Sequence, residues 1–193
     1  MIDMKNILKI IRMTVGLWVL TALIYPVVIL AVSQVAFASQ GNGSVLRNSQ
    51  GTVIGSVLIG QEFKSERYFS DRPSTINYSQ DESAKPTGVS GASNLAPSNP
   101  DLLKRVQEDA SRLQQKNTKP VADLIYTSGS GLDPHISTAA AQAQLNRVAQ
   151  ARNLQPGEIA ALIDRYTERR FLGIFGEPGV NVLELNYALD SRP

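Results

Sequence analysis

The chain has 193 residues, 42% of them apolar, 19% charged and 6% aromatic, with no cysteine and one histidine, His135. Disulfide scaffolds, thiol nucleophiles, iron–sulfur clusters and cysteine-built zinc sites are excluded, and a histidine-built metal centre lacks the ligands it would need. The net charge of +2 comes entirely from the extreme N-terminus: Lys5, Lys9 and Arg12 stand against Asp3, and 16 basic residues balance 16 acidic ones in the remainder. Without a basic stripe elsewhere, a nucleic-acid partner is not expected.

No charged side chain occurs between Met13 and Leu46, and Met13–Phe37 is strongly apolar. About 20 apolar residues suffice to cross a hydrocarbon core of roughly 30 Å. Ala36-Phe37-Ala38 resembles a signal-cleavage site, but the apolar stretch exceeds the about 7–15 residues of a signal peptide, so it is read as an uncleaved anchor. The three basic residues before it hold the N-terminus in the cytoplasm and send the rest across the membrane. The expected organisation is a cytoplasmic segment, 1–12, an anchor helix, 13–37, and an extracytoplasmic (periplasmic) domain, 38–193. Pro26 removes a donor from mid-helix and predicts a kink there. Thr14, Thr21 and Tyr25 share one face. They pack against another transmembrane helix, or their hydroxyls bond back to their own helix.

The domain opens with a hairpin signature, Val45-Leu46, the turn Asn48–Gly51 and a second strand interrupted by Gly55 and Gly60. Tyr68–Pro100 is rich in Ser, Asn, Gly and Pro, with Tyr68, Phe69, Tyr78 and Leu95 as apolar anchors for an ordered loop. Asn99-Pro100-Asp101 starts a helix running to about Gln115, with Leu102, Leu103, Val106, Ala110 and Leu113 as its buried face. A strand is predicted over Pro120–Thr127, helices over Ser137–Arg152 and from Pro156 through Tyr166, and a closing strand over Val180–Leu185. The fold class is α+β.

Chemistry is sparse. There is no GxxxxGK[ST] phosphate loop and no Asp-Lys-Thr-Gly phosphorylation site, so ATP hydrolysis by this chain has no sequence support. Glu62, Glu66 and Asp71 lack calcium-loop spacing. Ser128, Ser130, Asp133 and His135 lie within eight residues, whereas the members of a catalytic triad converge from separate segments. A turn-capping Asp133 with His135 bonded to nearby backbone accounts for them. Gly129 and Gly131 form either an anion nest or a plain turn. Ser90-Gly91-Ala92-Ser93-Asn94 either cradles a phosphate, grips a partner, or satisfies its own backbone.

The ordered set GSVLIGQEF, YFSDRPS, SGASNLAPSNP, SGSGLDPHIS, RVAQARNL and FGEPGVNVLELNYAL resembles the C subunit of the bacterial potassium-importing Kdp ATPase over nearly the whole chain. Ala92 and Ala96 stand where that family commonly has glycine. The resemblance implies a non-catalytic, single-pass inner-membrane subunit of an ATP-driven potassium uptake complex. The implied partners are a channel-like subunit, a P-type ATPase subunit, a small accessory membrane subunit and membrane lipid. It further implies an assembly factor and catalytic chaperone that raises ATP affinity, with no cofactor of its own and ATP bound by the partner ATPase subunit. The alternative is a lid at the potassium entrance without nucleotide contact. The family's nucleotide or partner loop, likened to an ABC-transporter signature, maps onto Ser90–Asn94; Ser128, Gly129, Gly131, Asp133 and His135 are the second candidate group, for a partner or for structure.

Overall fold

A computed structural model describes residues 4–80 and 88–191. Residues 1–3 of the predicted cytoplasmic segment, residues 81–87 of the long loop and residues 192–193 lie outside the described residues. The chain divides into an N-terminal unit ending at Val45 and a second, compact unit from Leu46 onward.

In the N-terminal unit, helix α1 (Met4–Val19) passes through a π turn (Leu20–Ile24) into α2 (Tyr25–Ala36). The resulting 33-residue helix is long and apolar enough to cross a membrane. The π turn sits directly before Pro26, and the Tyr25 N–H donates to Leu20 O, five residues back. A proline ring collides with the carbonyl four residues earlier, and the wider π turn relieves that collision where the sequence predicts a kink. Thr21 Oγ1 donates to Leu17 O at 2.8 Å, so this hydroxyl is used within its own helix. A short helix, α3 (Ala38–Gly41), follows.

The compact unit is α+β. Strands β1 (Val45–Arg47) and β2 (Val53–Ser56) form the predicted hairpin. Its turn is closed by Asn48 Oδ1, which accepts from the N–H groups of Gln50 and Thr52 at 3.0 and 2.9 Å. A three-stranded antiparallel sheet has the order β3 (His135–Ser137), β5 (Gly179–Asn181), β4 (Thr167–Glu168), with Ile136 opposite Val180.

Five α-helices belong to this unit among the described residues. In α4 (Pro100–Gln115), Asn99 caps as predicted by accepting from Asp101 N–H at 2.8 Å. The short α5 spans Ala122–Ile125. Helix α6 (Thr138–Arg152) is capped by Ser137, and Ala140, Ala141 and Ala149 are buried along it. Helix α7 (Pro156–Arg165) carries a Gln155–Glu158 capping box and buries Ile159, Leu162 and Ile163. Helix α8 spans Val182–Asp190. The core joins Phe69, Ile136, Val148, Ile159, Val180 and Leu185.

Three expectations are corrected. Pro120–Thr127 is not a strand but holds the single-turn helix α5. Leu124 enters the core while its neighbour Asp123 turns inward to ligate Ser137 N–H and Arg72. Successive strand residues point to opposite faces and could not do both. Val180–Leu185 is a strand only to Asn181, whose side chain then caps α8 by accepting from Glu184 N–H at 3.1 Å. Val182, Leu183, Leu185 and Asn186 are all buried, a pattern that period two forbids and a helix lodged in the core allows. In α4 no residue is fully buried, and Leu103 is 61% exposed. The predicted Leu102, Val106, Ala110 and Leu113 form its half-buried stripe together with Arg105 and Asp109, and Leu103 lies about 100° around the helix from Leu102.

Candidate functional site

Residues 61–80 carry little regular structure, so their peptide groups need partners from elsewhere. The helices supply them. Asn186 accepts from Phe69 N–H at 2.8 Å and donates to Phe69 O at 2.9 Å, imitating a neighbouring strand. Gln144 does the same for Ser70, at 2.8 and 3.0 Å. Arg147 donates to Glu66 O and Tyr68 O, and Arg152 to Arg67 O. Phe69 is fully buried between these grips, and Arg152 also stacks on the Tyr68 ring at 4.9 Å. Of the predicted anchors, Phe69 and Tyr78 are buried and Tyr68 and Leu95 partly so. Sequence reasoning missed Gln144 and Asn186. A polar residue on an otherwise apolar helical stripe was the available signal.

This docking brings the two predicted site groups together. Ser90 Oγ and Gly91 N–H both donate to Ser130 O at 2.9 Å. Ser74 Oγ donates to Gly131 O at 2.8 Å, and Thr75 Oγ1 to Gly91 O at 3.3 Å. Thr127 Oγ1 donates to Ser93 Oγ at 3.5 Å. Three loops, 72–78, 90–94 and 127–133, are thus knotted. Gly131, at φ +71°, sits where an added Cβ would lie 2.7 Å from Gly91 O and 2.5 Å from Ile76 Cγ1. Only glycine fits both the backbone and the space. Asn94 takes the left-handed region that asparagine tolerates, whereas Ala92 and Ala96 have no positive φ. Alanine at those two positions therefore carries no backbone strain.

The serines and the histidine are not joined. Ser128 Oγ lies 3.2 Å from Ser130 Oγ and accepts from Gly131 N–H at 3.0 Å. Among the described residues, no hydrogen bond links His135 to either serine. Asp133 Oδ1 accepts from His135 N–H at 3.0 Å, the turn-capping role read from the sequence. His135 Nε2 lies 3.3 Å from Glu168 Oε1 without hydrogen-bond alignment. Gly129 has open space around it.

Charge converges beside the knot on Arg72, which pairs with Asp123 and, at 3.5 Å, with Asp133. Burial pushes the Asp123 carboxyl upward, but the hydrogen bonds from Ser137 and the Arg72 guanidinium outweigh it and hold the group below its ordinary value. Asp71 next door is buried, with Oδ2 accepting from Gln61 N–H at 3.3 Å and Oδ1 without a partner among the described residues. Burial, reinforced by the Asp133 charge, drives its carboxyl well above the usual range. The Tyr78 hydroxyl, raised likewise by burial and by these two acids, donates to Arg72 O. Asp71, Arg72 and Tyr78 face a cleft of about 600 Å³ whose other walls carry Arg105, Asp109 and Arg147. Among the described residues, no cluster of three or more His, Asp or Glu side chains is placed to hold a metal ion.

Comparison with known proteins bears on what such a chain is part of. The family described as K+-transporting ATPase, c chain, matches residues 7–191. The potassium-transporting ATPase KdpC subunit of Synechocystis sp. is 61% identical over 188 residues, covering 97% of this chain and 99% of that protein. KdpC subunit 2 of Nostoc sp. is 61% identical, covering 96% and 94%. The KdpC subunit of Koribacter versatilis is 44% identical, again covering 96% and 94%.

Proposed function

Because this chain belongs to the family of the C chain of K+-transporting ATPases, we propose that it is the non-catalytic, single-pass subunit that assembles an ATP-driven potassium uptake complex and raises ATP affinity in the ATPase subunit. Its helix anchors it in the plasma membrane with the N-terminus in the cytoplasm, and its compact unit lies outside. There it docks on the potassium-channel-like and ATPase subunits through the knotted loops, and a small accessory membrane subunit completes the assembly. The family match, which spans anchor and compact unit alike, carries this reading.

ATP affinity rises by linkage rather than by contact. The outer unit and a cytoplasmic nucleotide pocket are separated by about 30 Å of hydrocarbon, so the subunit biases the pump toward its ATP-binding conformation. Two observations support this over a nucleotide cradle at Ser90–Asn94. The Ser90 hydroxyl and the Gly91 N–H are both already given to Ser130 O, and Gly131 N–H is given to Ser128 Oγ. Ser128 and Ser130 are not assembled as nucleophiles among the described residues, since they are bonded to each other and to backbone.

The test is photo-crosslinking of the intact, sealed complex with an ATP analogue. Label is expected in the ATPase subunit alone. Specific label within residues 39–193, competed by ATP, would restore direct nucleotide contact and sink the linkage mechanism.

A further inference from the structure

The connection between β4 and β5 departs most from an ordinary protein surface. Phe171 and Phe175 pair across it, with Phe171 N–H donating to Phe175 O at 2.8 Å and Phe175 N–H to Phe171 O at 3.0 Å. Leu172 and Gly173 have φ of +52° and +75°, and Ile174 N–H donates to Phe171 O at 3.2 Å. These are the features of a type I′ turn. Its first central position favours Asn, Asp or Gly, and a leucine there is strained.

Four large apolar side chains crowd this tip. Phe171, Leu172, Ile174 and Phe175 are 70%, 74%, 72% and 61% exposed. None of them belongs to the hydrophobic core. Folding therefore explains neither the strained leucine nor its three companions. A contiguous apolar patch on a protruding tip is tolerated where something apolar covers it.

Charge and chain length indicate the cover. Arg170 is held by Glu177 at 2.8 Å, while Arg169 has no acidic partner within 4.0 Å among the described residues. An unpaired arginine behind an apolar tip matches a membrane interface, with apolar groups sinking about 5–10 Å and the Arg169 guanidinium meeting a lipid phosphate. Residues 37–45 alone separate the end of the long apolar helix from the compact unit. Nine extended residues span at most about 30 Å, so an anchored chain keeps its compact unit close to the bilayer.

We infer that the 171–175 tip is a second membrane contact, inserting into the interface of an anionic lipid surface and restraining the compact unit against the bilayer. This rests on the N-terminal helix being an anchor, and the experiment separates the two. Trp18, in the helix, is the chain's single tryptophan. The full chain is reconstituted into phosphatidylglycerol–phosphatidylcholine vesicles with brominated or ordinary acyl chains, as the parent and as the double variant Trp18→Phe, Ile174→Trp. Bromolipid should quench Trp18 in the parent and also the introduced indole in the variant, each at least twofold. Adding Arg169→Glu, or using phosphatidylcholine alone, should weaken the second quenching and leave the first unchanged. Quenching of Trp18 without quenching at position 174, repeated with Phe175→Trp, overturns the tip contact and leaves the anchor standing. No quenching of Trp18 overturns both. In the assembled complex, an indole shielded from aqueous iodide yet untouched by bromolipid would mean that a protein partner covers the tip, and that also overturns the proposal.

Discussion

Asn186→Ala isolates the device that holds the long irregular segment in place. The Asn186 side chain is 1% exposed and is the partner of both polar groups of the Phe69 peptide, at 2.8 and 2.9 Å. Phe69 itself is fully buried, so water cannot readily replace the lost amide. A buried group left unpaired costs about 1–3 kcal/mol. Two such groups give a loss of about 2–6 kcal/mol, against a total stability of about 5–15 kcal/mol. At about 2–4 °C per kcal/mol for a unit of this size, the melting temperature of the full chain in detergent should fall by roughly 10 °C. Amide exchange at Phe69 and Ser70 should accelerate before the core amides of α6. Asn186→Asp sharpens the test. The carboxylate still accepts from Phe69 N–H but cannot donate to Phe69 O, and burial raises its pKa above the unfolded value. A carboxyl raised in this way favours the folded state below its unfolded pKa, and that contribution is lost as pH rises through the folded value. The aspartate variant should therefore approach the parent in acid and fall away toward neutrality. A change of under about 0.5 kcal/mol for the alanine variant, the level of an ordinary surface substitution, would refute the claim that this amide secures the loop.

Asp71 carries the same sign: its carboxyl is held well above the ordinary range by burial, so Asp71→Asn should stabilise the chain at neutral pH, with the gain fading toward pH 4 as the native carboxyl protonates in both states. Urea midpoints across that window measure it. Gly131→Ala places a Cβ 2.5 Å from Ile76 Cγ1 at a positive φ and should lower stability and recovery of the assembled complex together, whereas Gly129→Ala, with nothing within 4 Å, should leave both near the parent on co-purification with partner subunits. Protease added to sealed, right-side-out spheroplasts should remove the compact unit, and full protection there would reverse the proposed orientation.

What could be read from the sequence follows from where each signal is stored. Local starts announced themselves: Asn99 was readable as a cap, and helices were expected from near Ser137 and from Pro156, where Ser137 and the Gln155–Glu158 box close their own helix ends. The apolar helix was legible for the same reason, since its length and composition are local properties. The two failed strands share a different cause. In Val121–Ile125 and in Val182–Asn186, adjacent residues both face inward, and only the surrounding core decides that. The candidate site divides the same way. Asp133 as a turn cap was readable from its spacing to His135. The union of 90–94 with 127–133 was not, because it rests on bonds between residues 40 apart, from Ser90 and Gly91 to Ser130 O. The grip of Gln144, Arg147 and Asn186 on residues 66–70, over 70 residues away, was hidden for the same reason.

A closed knot of this kind suits linkage better than catalysis. To raise another subunit's ATP affinity tenfold, a docking surface must favour one pump conformation by about 1.4 kcal/mol. That is about the net worth of one hydrogen bond formed in only one conformation. A loop that must order itself on docking loses part of any such preference to conformational entropy. Here Ser74, Ser90, Gly91, Ser128 and Ser130 fix three loops against one another without a partner. On the proposed reading, a docking surface held in a single shape passes on whatever differential contact it makes as bias. Buried Asp71, with one oxygen unpartnered among the described residues beside a charged cleft, is the remaining point of tension in this arrangement. If Asp71→Asn stabilises the chain yet weakens potassium-dependent ATPase activity in the assembled complex, the carboxylate is retained for docking or coupling rather than for folding. If activity is unchanged, the knot works by shape alone.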